Sequence, residues 1–375
     1  AQNVAGEDEK VGETLPADTL VRDSLSLKWP QSAVHGIDRL LEADMFQTSQ
    51  VGLMVYDLTA DSVIYHHNER QMMRPASTMK LLTAIAAIDR LGGSYQTKTE
   101  LCYTGHIADR TLEGDIYCVG GMDPLFNADD MSAFVESIRK MGVDTIRGHL
   151  YADKSMKDYD LLGEGWCWDD DNPVLTPLIY GRKDQFMERF ERELRESGLV
   201  VQAFASTAVK PDTAFCICAR YHTIDQILMR MMKESDNLYA RQYIRRLIDK
   251  VGLHGQRYRI ADGSGLSLYN YVTAELEVRL LRYAYRYQNI YIHLLPSLPK
   301  AGVDGTLEKR MHGTFTKDNV KAKTGTLTGV ISLAGYCTAA NGHQLCFAIL
   351  NQGVMRASDA RHFQDRVCEV LCNPQ

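Results

Sequence analysis

Apolar positions recur along the chain at two spacings: three to four residues apart, which predicts helices, and alternating or in short solid blocks, which predicts strands. Ala33, Val34, Ile37, Leu40 and Leu41 repeat at helical spacing. The runs 50–57 and 62–65, joined by a short polar turn, predict a β-hairpin. Residues 77–91 are apolar nearly all round a helix, the mark of a buried one, with Pro75 before it and Gly92-Gly93 closing it. Short strands are predicted at 97–103, 114–119 and 148–152, interrupted by a helix over 129–141. A strongly charged helix follows at 186–197, and two more at 223–233 and 237–250. The chain closes with strands at 320–325, 330–338 and 344–351 and a helix at 357–371, far in sequence from the hairpin near its start. The first 30 residues carry no periodicity and read as a flexible arm.

Composition narrows the class. A chain of 375 residues, 45% hydrophobic and 24% charged, fits a globular protein of two or three domains and excludes a mainly disordered or fibrous one. No apolar run approaches the roughly 18 residues needed to cross a bilayer as a helix. The net charge of −6 is concentrated in the acidic first 23 residues, so no nucleic-acid surface is predicted. The chain starts Ala1-Gln2, which suits cleavage of a signal peptide after a small residue.

The nine cysteines show no zinc-binding spacing, and their odd number leaves at least one unpaired. Export would permit disulfides. Asn341-Gly342 reads as a two-residue hairpin turn, which sets Cys337 opposite Cys346. Cys102 and Cys118 fall on the two strands of a second hairpin. Each pair is either a disulfide or two buried thiols, and both readings stay open.

Three short motifs can carry chemistry. In Ser77-Thr78-Met79-Lys80, positions i and i+3 share a helix face, so Lys80 can reach the Ser77 hydroxyl at a helix N-terminus that favours developing negative charge. Burial of Lys80 in so apolar a helix would favour its neutral form, a working base for a serine nucleophile. Ser235 and Asn237, after the helix ending near 234, can point a hydroxyl and an amide into one cleft. In Lys323-Thr324-Gly325-Thr326, on a strand, Lys323 and Gly325 share one face. There Lys323 and Thr324 can bind a carboxylate, while Gly325 lets a substrate backbone approach. Taken singly, each motif reads as ordinary: a capping serine with a snorkelling lysine, a helix-capping cluster, a turn with an exposed lysine. In this order and context they form the constellation S-x-x-K, S-x-N and K-T-G of penicillin-recognising serine acyltransferases.

The resemblance is closer still. Arg74-Pro-Ala-Ser-Thr-Met-Lys-Leu-Leu-Thr-Ala84, Glu234-Ser-Asp-Asn-Leu-Tyr-Ala240, Asp262-Gly-Ser-Gly-Leu-Ser267, Leu298-Pro-Lys-Ala-Gly-Val-Asp-Gly-Thr-Leu307 and Lys323-Thr-Gly-Thr-Leu-Thr-Gly-Val330 resemble class C low-molecular-mass penicillin-binding proteins over about 33–370. These are D-alanyl-D-alanine carboxypeptidases, many also endopeptidases. The resemblance implies an α/β (α+β) fold: a β-lactamase/transpeptidase-like domain, an antiparallel sheet flanked by helices, formed by 31–96 and 213–375. A smaller β-rich inserted domain would occupy 97–212. Only 154 residues separate Lys80 from Ser235, which leaves room for one of the two insertions carried by full-size relatives.

By resemblance, Ser77 is the nucleophile and Lys80 its base. Ser235 relays the proton, Asn237 holds the peptide amide, and Lys323 with Thr324 binds the terminal carboxylate. Backbone N–H groups of Ser77 and Thr326, beside Gly325, form the oxyanion hole. Asp170, in the Trp166-Cys-Trp-Asp-Asp170 segment, is the positional match for a carboxylate that contacts the free amine of the stem peptide, although Cys167 stands where proline is expected. No metal or cofactor is implied. The expected partners are peptidoglycan stem peptides and, as covalent inhibitors, β-lactams, in the periplasm or cell envelope. Two rival readings are a serine β-lactamase and a non-catalytic peptidoglycan-binding protein.

Overall fold

The computed structural model describes residues 27–156, 174, 176–234, 241–313 and 315–373. Most of the acidic arm and the Trp/Asp-rich segment lie outside these residues. None of the described helices is long and apolar enough to cross a membrane.

One antiparallel sheet runs in the order β10-β11-β12-β1-β2, so the last three strands of the chain lie beside the first two. They are β1 (Gln50–Asp57), β2 (Ser62–His67), β10 (Lys321–Leu327), β11 (Val330–Thr338) and β12 (Gln344–Gln352). Because the sheet is covered on both faces, its central strands are solid apolar blocks. On β12, Cys346, Ala348 and Leu350 enter one core, and Leu345, Phe347 and Ile349 enter the other. The first core is closed by α2 (Met79–Leu91), α5 (Ile224–Glu234), α6 (Arg241–Lys250), α7 (Ala274–Arg286) and α8 (Gln288–Ser297). The second is closed by α1 (Gln31–Leu40) and α9 (Ala357–Cys372). Helix α7 starts at Thr273, whose hydroxyl accepts from the Leu276 N–H at 3.0 Å, an N-cap that the sequence reading passed over together with α7 and α8.

A second sheet collects β3 (Gln96–Tyr103), β4 (His106–Ala108), β5 (Thr111–Glu113), β6 (Ile116–Val119), β7 (Thr145–Asp153), β8 (Val200–Thr207) and β9 (Phe215–Thr223). Helices α3 (Ala128–Lys140) and α4 (Phe186–Glu196) bury Phe134, Phe186 and Phe190 in a core of its own. Strands β8 and β9 had no counterpart in the predicted elements. Strand β9 is needed to finish this sheet, because it pairs with β3.

Neither cysteine pair is a disulfide, and the register that set Cys337 opposite Cys346 is corrected. Cys102 faces Tyr117 on β6, and Cys118 faces Leu101, so Cys102 and Cys118 point to opposite sides of the sheet. Cys102 is bonded instead to Cys216 on β9, where a register shift after Leu101 sets the two residues opposite each other. At the other hairpin, Thr338 pairs with Gln344 and Tyr336 with Cys346. Only Gly342 in that turn takes the left-handed conformation (φ 87°), so the loop has three residues rather than two. That single-residue change sends Cys337 and Cys346 into different cores as free thiols.

The Cys102–Cys216 bond closes a loop with a sequence separation of 114 residues. Cross-links of that span restrict the unfolded chain, and their loss typically costs about 2–5 kcal/mol. Cys216→Ser is expected to lower the apparent melting midpoint by roughly 5–15 °C. A scanning melt with and without reductant checks this, and the wild type in reductant should match the variant.

Candidate active site

The S-x-x-K segment is a sharp turn feeding a buried helix. A short 3-10 turn, Ala76–Thr78, leads directly into α2. Ala76 is held at φ 50°, a left-handed conformation that a non-glycine residue adopts only under constraint. The constraint comes from three sides. Ser332 Oγ on β11 donates to Pro75 O at 2.6 Å, and Thr78 Oγ1 lies 2.7 Å from the same carbonyl. From a third side comes Gly265 (φ 86°), where a Cβ would stand 1.8 Å from Ala76 O, so only glycine fits.

Lys80 is 1% exposed, and its Nζ lies 3.0 Å from Ser77 Oγ and 2.9 Å from Ser264 O. The i, i+3 contact predicted from the spacing is thus made. The loop that supplies the Ser264 carbonyl is organised by Asp262. Its carboxylate accepts from Ser264 Oγ at 2.6 Å, the Gly265 N–H at 2.9 Å and Asn270 Nδ2 at 2.7 Å. Thr83, one turn along α2, ties down the same loop by donating to Gly263 O at 2.6 Å. Sequence reasoning quoted the Asp262 segment for its resemblance but gave Ser264 and Thr83 no role. The signal was available in the short polar residues packed between glycines, a pattern that builds hydrogen-bonded loops.

Strand β10 carries the third motif along the front of this turn. Lys323 is also 1% exposed, and its Nζ donates to Thr324 O at 3.0 Å. Burial, with the nearby charge of Lys80, pushes the Lys323 ammonium well below the ordinary lysine range. Thr324 Oγ1 is 2.6 Å from Thr306 Oγ1, in the Leu298–Leu307 segment, and Thr326 Oγ1 accepts from Arg361 at 3.4 Å. Gly325 has a role beside the one expected from the sequence. Its missing side chain makes room for the nucleophile turn itself, since a Cβ would lie 2.8 Å from Ser77 N and 2.2 Å from Ser332 Oγ. Ser235, Asn237 and Asp170 lie outside the described residues.

A half-exposed serine hydroxyl touching a buried lysine amine, with a second buried lysine on a neighbouring strand, defines a serine acyltransferase of the penicillin-recognising class. The profile of the D-Ala-D-Ala carboxypeptidase 3 (S13) family matches residues 33–181 and 242–373. The chain belongs to that family of class C low-molecular-mass penicillin-binding proteins, and it is a serine-type carboxypeptidase. It is 26% identical to the D-alanyl-D-alanine carboxypeptidase of Actinomadura sp. (strain R39) across 84% of this chain and 80% of that one. It is 24% identical to the D-alanyl-D-alanine carboxypeptidase DacB of Haemophilus influenzae across 86% of this chain and 89% of that one. The fold matches the crystal structure of penicillin-binding protein 4 (dacB) from Haemophilus influenzae with a TM-score of 0.81 at 21% identity, covering 88% of this chain and 98% of that one. It also matches Bd3459, a predatory peptidoglycan endopeptidase from Bdellovibrio bacteriovorus, with a TM-score of 0.56 at 17% identity, covering 81% and 86%.

Proposed function

We propose that this protein trims the terminal D-Ala from peptidoglycan stem peptides in the bacterial envelope through an ester on Ser77. The observation that carries the reading is the 3.0 Å contact between Lys80 Nζ and Ser77 Oγ inside a site where both lysines are buried. Ser77 Oγ attacks the carbonyl of the penultimate D-Ala while Lys80 takes its proton. The bond to the terminal D-Ala nitrogen then breaks, and a proton passes to that nitrogen through Ser235. Water cleaves the ester and restores the serine. Lys323 and Thr324 hold the terminal carboxylate, Asn237 the peptide amide, and the N–H groups of Ser77 and Thr326 the oxyanion. Asp170 remains the candidate for the stem amine. The second sheet, with its own core, supports reading 97–212 as an inserted unit, extended by β9 to Thr223.

The test is D-Ala release from a stem pentapeptide, run beside cleavage of a cross-linked dimer and turnover of a chromogenic cephalosporin. D-Ala release with no steady cephalosporin turnover is expected, and sustained turnover would favour a β-lactamase. The same assay reads Lys323. Its ammonium is charged below its pKa and neutral above it, and that pKa is lowered. The KM for the pentapeptide should therefore climb with rising pH before an ordinary lysine would begin to titrate.

A further inference from the structure

Glu277 is a buried carboxyl that the mechanism above does not use. It sits on α7, 1% exposed, 199 residues along the chain from Thr78. Its Oε1 lies 2.6 Å from Thr78 Oγ1, and its Oε2 is buried without a hydrogen-bond partner. Thr78 Oγ1 is also 2.7 Å from Pro75 O. A threonine hydroxyl has one proton, and a proline carbonyl can only accept. Both contacts can be hydrogen bonds only if Thr78 donates to Pro75 O and Glu277 donates to Thr78. Pro75 O takes a second proton from Ser332 Oγ. A chain of donors thus runs from α7 through Thr78 to the carbonyl two residues before Ser77. It adds a hold on the strained Ala76 turn to those of Ser332 and Gly265.

We propose that Glu277 is a positioning residue for acylation: by donating to Thr78 it holds the Pro75–Ser77 turn that presents the nucleophile to Lys80. The inference rests on the reading of Ser77 as nucleophile. Ionisation of Glu277 would remove its proton from the chain. Thr78 Oγ1 would then face two acceptors with one proton, and one of the two contacts would be lost. Burial raises the Glu277 carboxyl to about 8, against the opposite pull of the Thr78 hydrogen bond, so the acid form prevails at neutral pH.

Other ionisable groups on the surrounding elements have partners of their own. On α7 itself, Glu275 pairs with Arg70 and Arg279. On α2, Lys80 contacts Ser77 and Ser264, and Asp89 pairs with Lys250. On β1, Tyr56 donates to Asp61, and Asp57 meets His343. On β11, Tyr336 donates to Leu281 O, and on β12 Cys346 reaches Val278 O. On α8, Tyr291 packs its ring on Tyr336, and His293 meets Asp225. Burial and the Thr78 bond alone account for the shift at Glu277.

The experiment measures the rate of fluorescent-penicillin acylation for the wild type, Glu277→Gln and Glu277→Leu at several pH values from neutral to about pH 9.5. A glutamine amide still donates to Thr78 but cannot ionise. At neutral pH, Glu277→Gln is expected to stay within about twofold of wild type and Glu277→Leu to fall about fivefold or more. As pH rises past about 8, the ratio of Glu277→Gln to wild type should climb about threefold or more as the wild type loses its donor. A ratio that stays flat across this range, or a folded Glu277→Leu that acylates like wild type, would overturn the inference. Wild type that takes no label at any pH would overturn the reading of Ser77 and this inference together. Stability gives a second readout, which tests for the proton on Glu277 directly. Between about 4.5 and 8 the folded state holds a proton that the unfolded chain has released, so stability falls with rising pH over that window. Glu277→Gln should remove that slope, and an unchanged slope would also count against the inference.

Discussion

Ser77→Ala is expected to abolish covalent labelling by a fluorescent penicillin, and Lys80→Met to slow it by roughly 10²–10⁴-fold, with both proteins still folded. Of the two hydroxyls in the S-x-x-K segment, Thr78's is buried against Pro75 O and Glu277, which leaves Ser77's to form the ester. The lysine effect is large because its buried amine lies 3.0 Å from the nucleophilic Ser77 Oγ, where it can take the proton. Methionine keeps the length and apolar bulk of the side chain in a helix that buries nine of its residues, including Lys80 itself. The variant loses the amine and its bond to Ser264 O while leaving no cavity. Residues that act as a unit are not additive, so the double variant should release D-Ala no more slowly than Ser77→Ala alone. A time course of labelling on denaturing gels, with D-Ala release measured on the same preparations, checks all three. Labelling of Ser77→Ala at the wild-type rate would place the nucleophile elsewhere. Wild-type labelling of Lys80→Met would require a different base.

What the sequence disclosed follows the range of the interactions. The Ser77–Lys80 contact was legible because a helix fixes i, i+3 geometry locally, and the face shared by Lys323 and Gly325 because a strand fixes alternation. The solid apolar blocks of β11 and β12 gave the buried central strands in the same way. The failures are long-range or hinge on a single residue. Glu277 meets Thr78 across 199 residues, and Cys102 meets Cys216 across 114, through pairings that no local pattern encodes. Strand β9 was missed because six of its nine residues are half-buried, none is fully buried, and its polar and apolar positions do not alternate cleanly. The hairpin at Asn341-Gly342 was recognised, but its loop is one residue longer than the dipeptide suggests. In a strand, one residue of register exchanges the two faces, so Cys337 and Cys346 part company. The Ser235–Asn237 motif and Asp170 fall outside the described residues, so their roles stay with the proposal.

Gly325→Ala is expected to cut acylation by roughly 10²–10³-fold, the loss typical of one displaced oxyanion donor. The added methyl would lie 2.2 Å from Ser332 Oγ, 2.8 Å from Ser77 N and 3.0 Å from Ala76 Cβ. Two of these neighbours belong to a turn already fixed by Gly265, Thr78 and Ser332, so the turn cannot retreat without moving the Ser77 N–H. Overpacking of this kind costs about 1–3 kcal/mol, which should lower the melting midpoint by several degrees. The two effects can be separated. Ser332→Ala removes the nearest collision but leaves the contact with Ser77 N. In the Gly325→Ala/Ser332→Ala double variant, measured against Ser332→Ala alone, much of the stability should return while acylation stays slow. Recovery of both together would mean that the glycine serves packing only, and that the approach of β10 to the nucleophile turn has no part in the chemistry. Recovery of neither would trace the whole effect to the backbone at Ser77, where the strand and the turn meet.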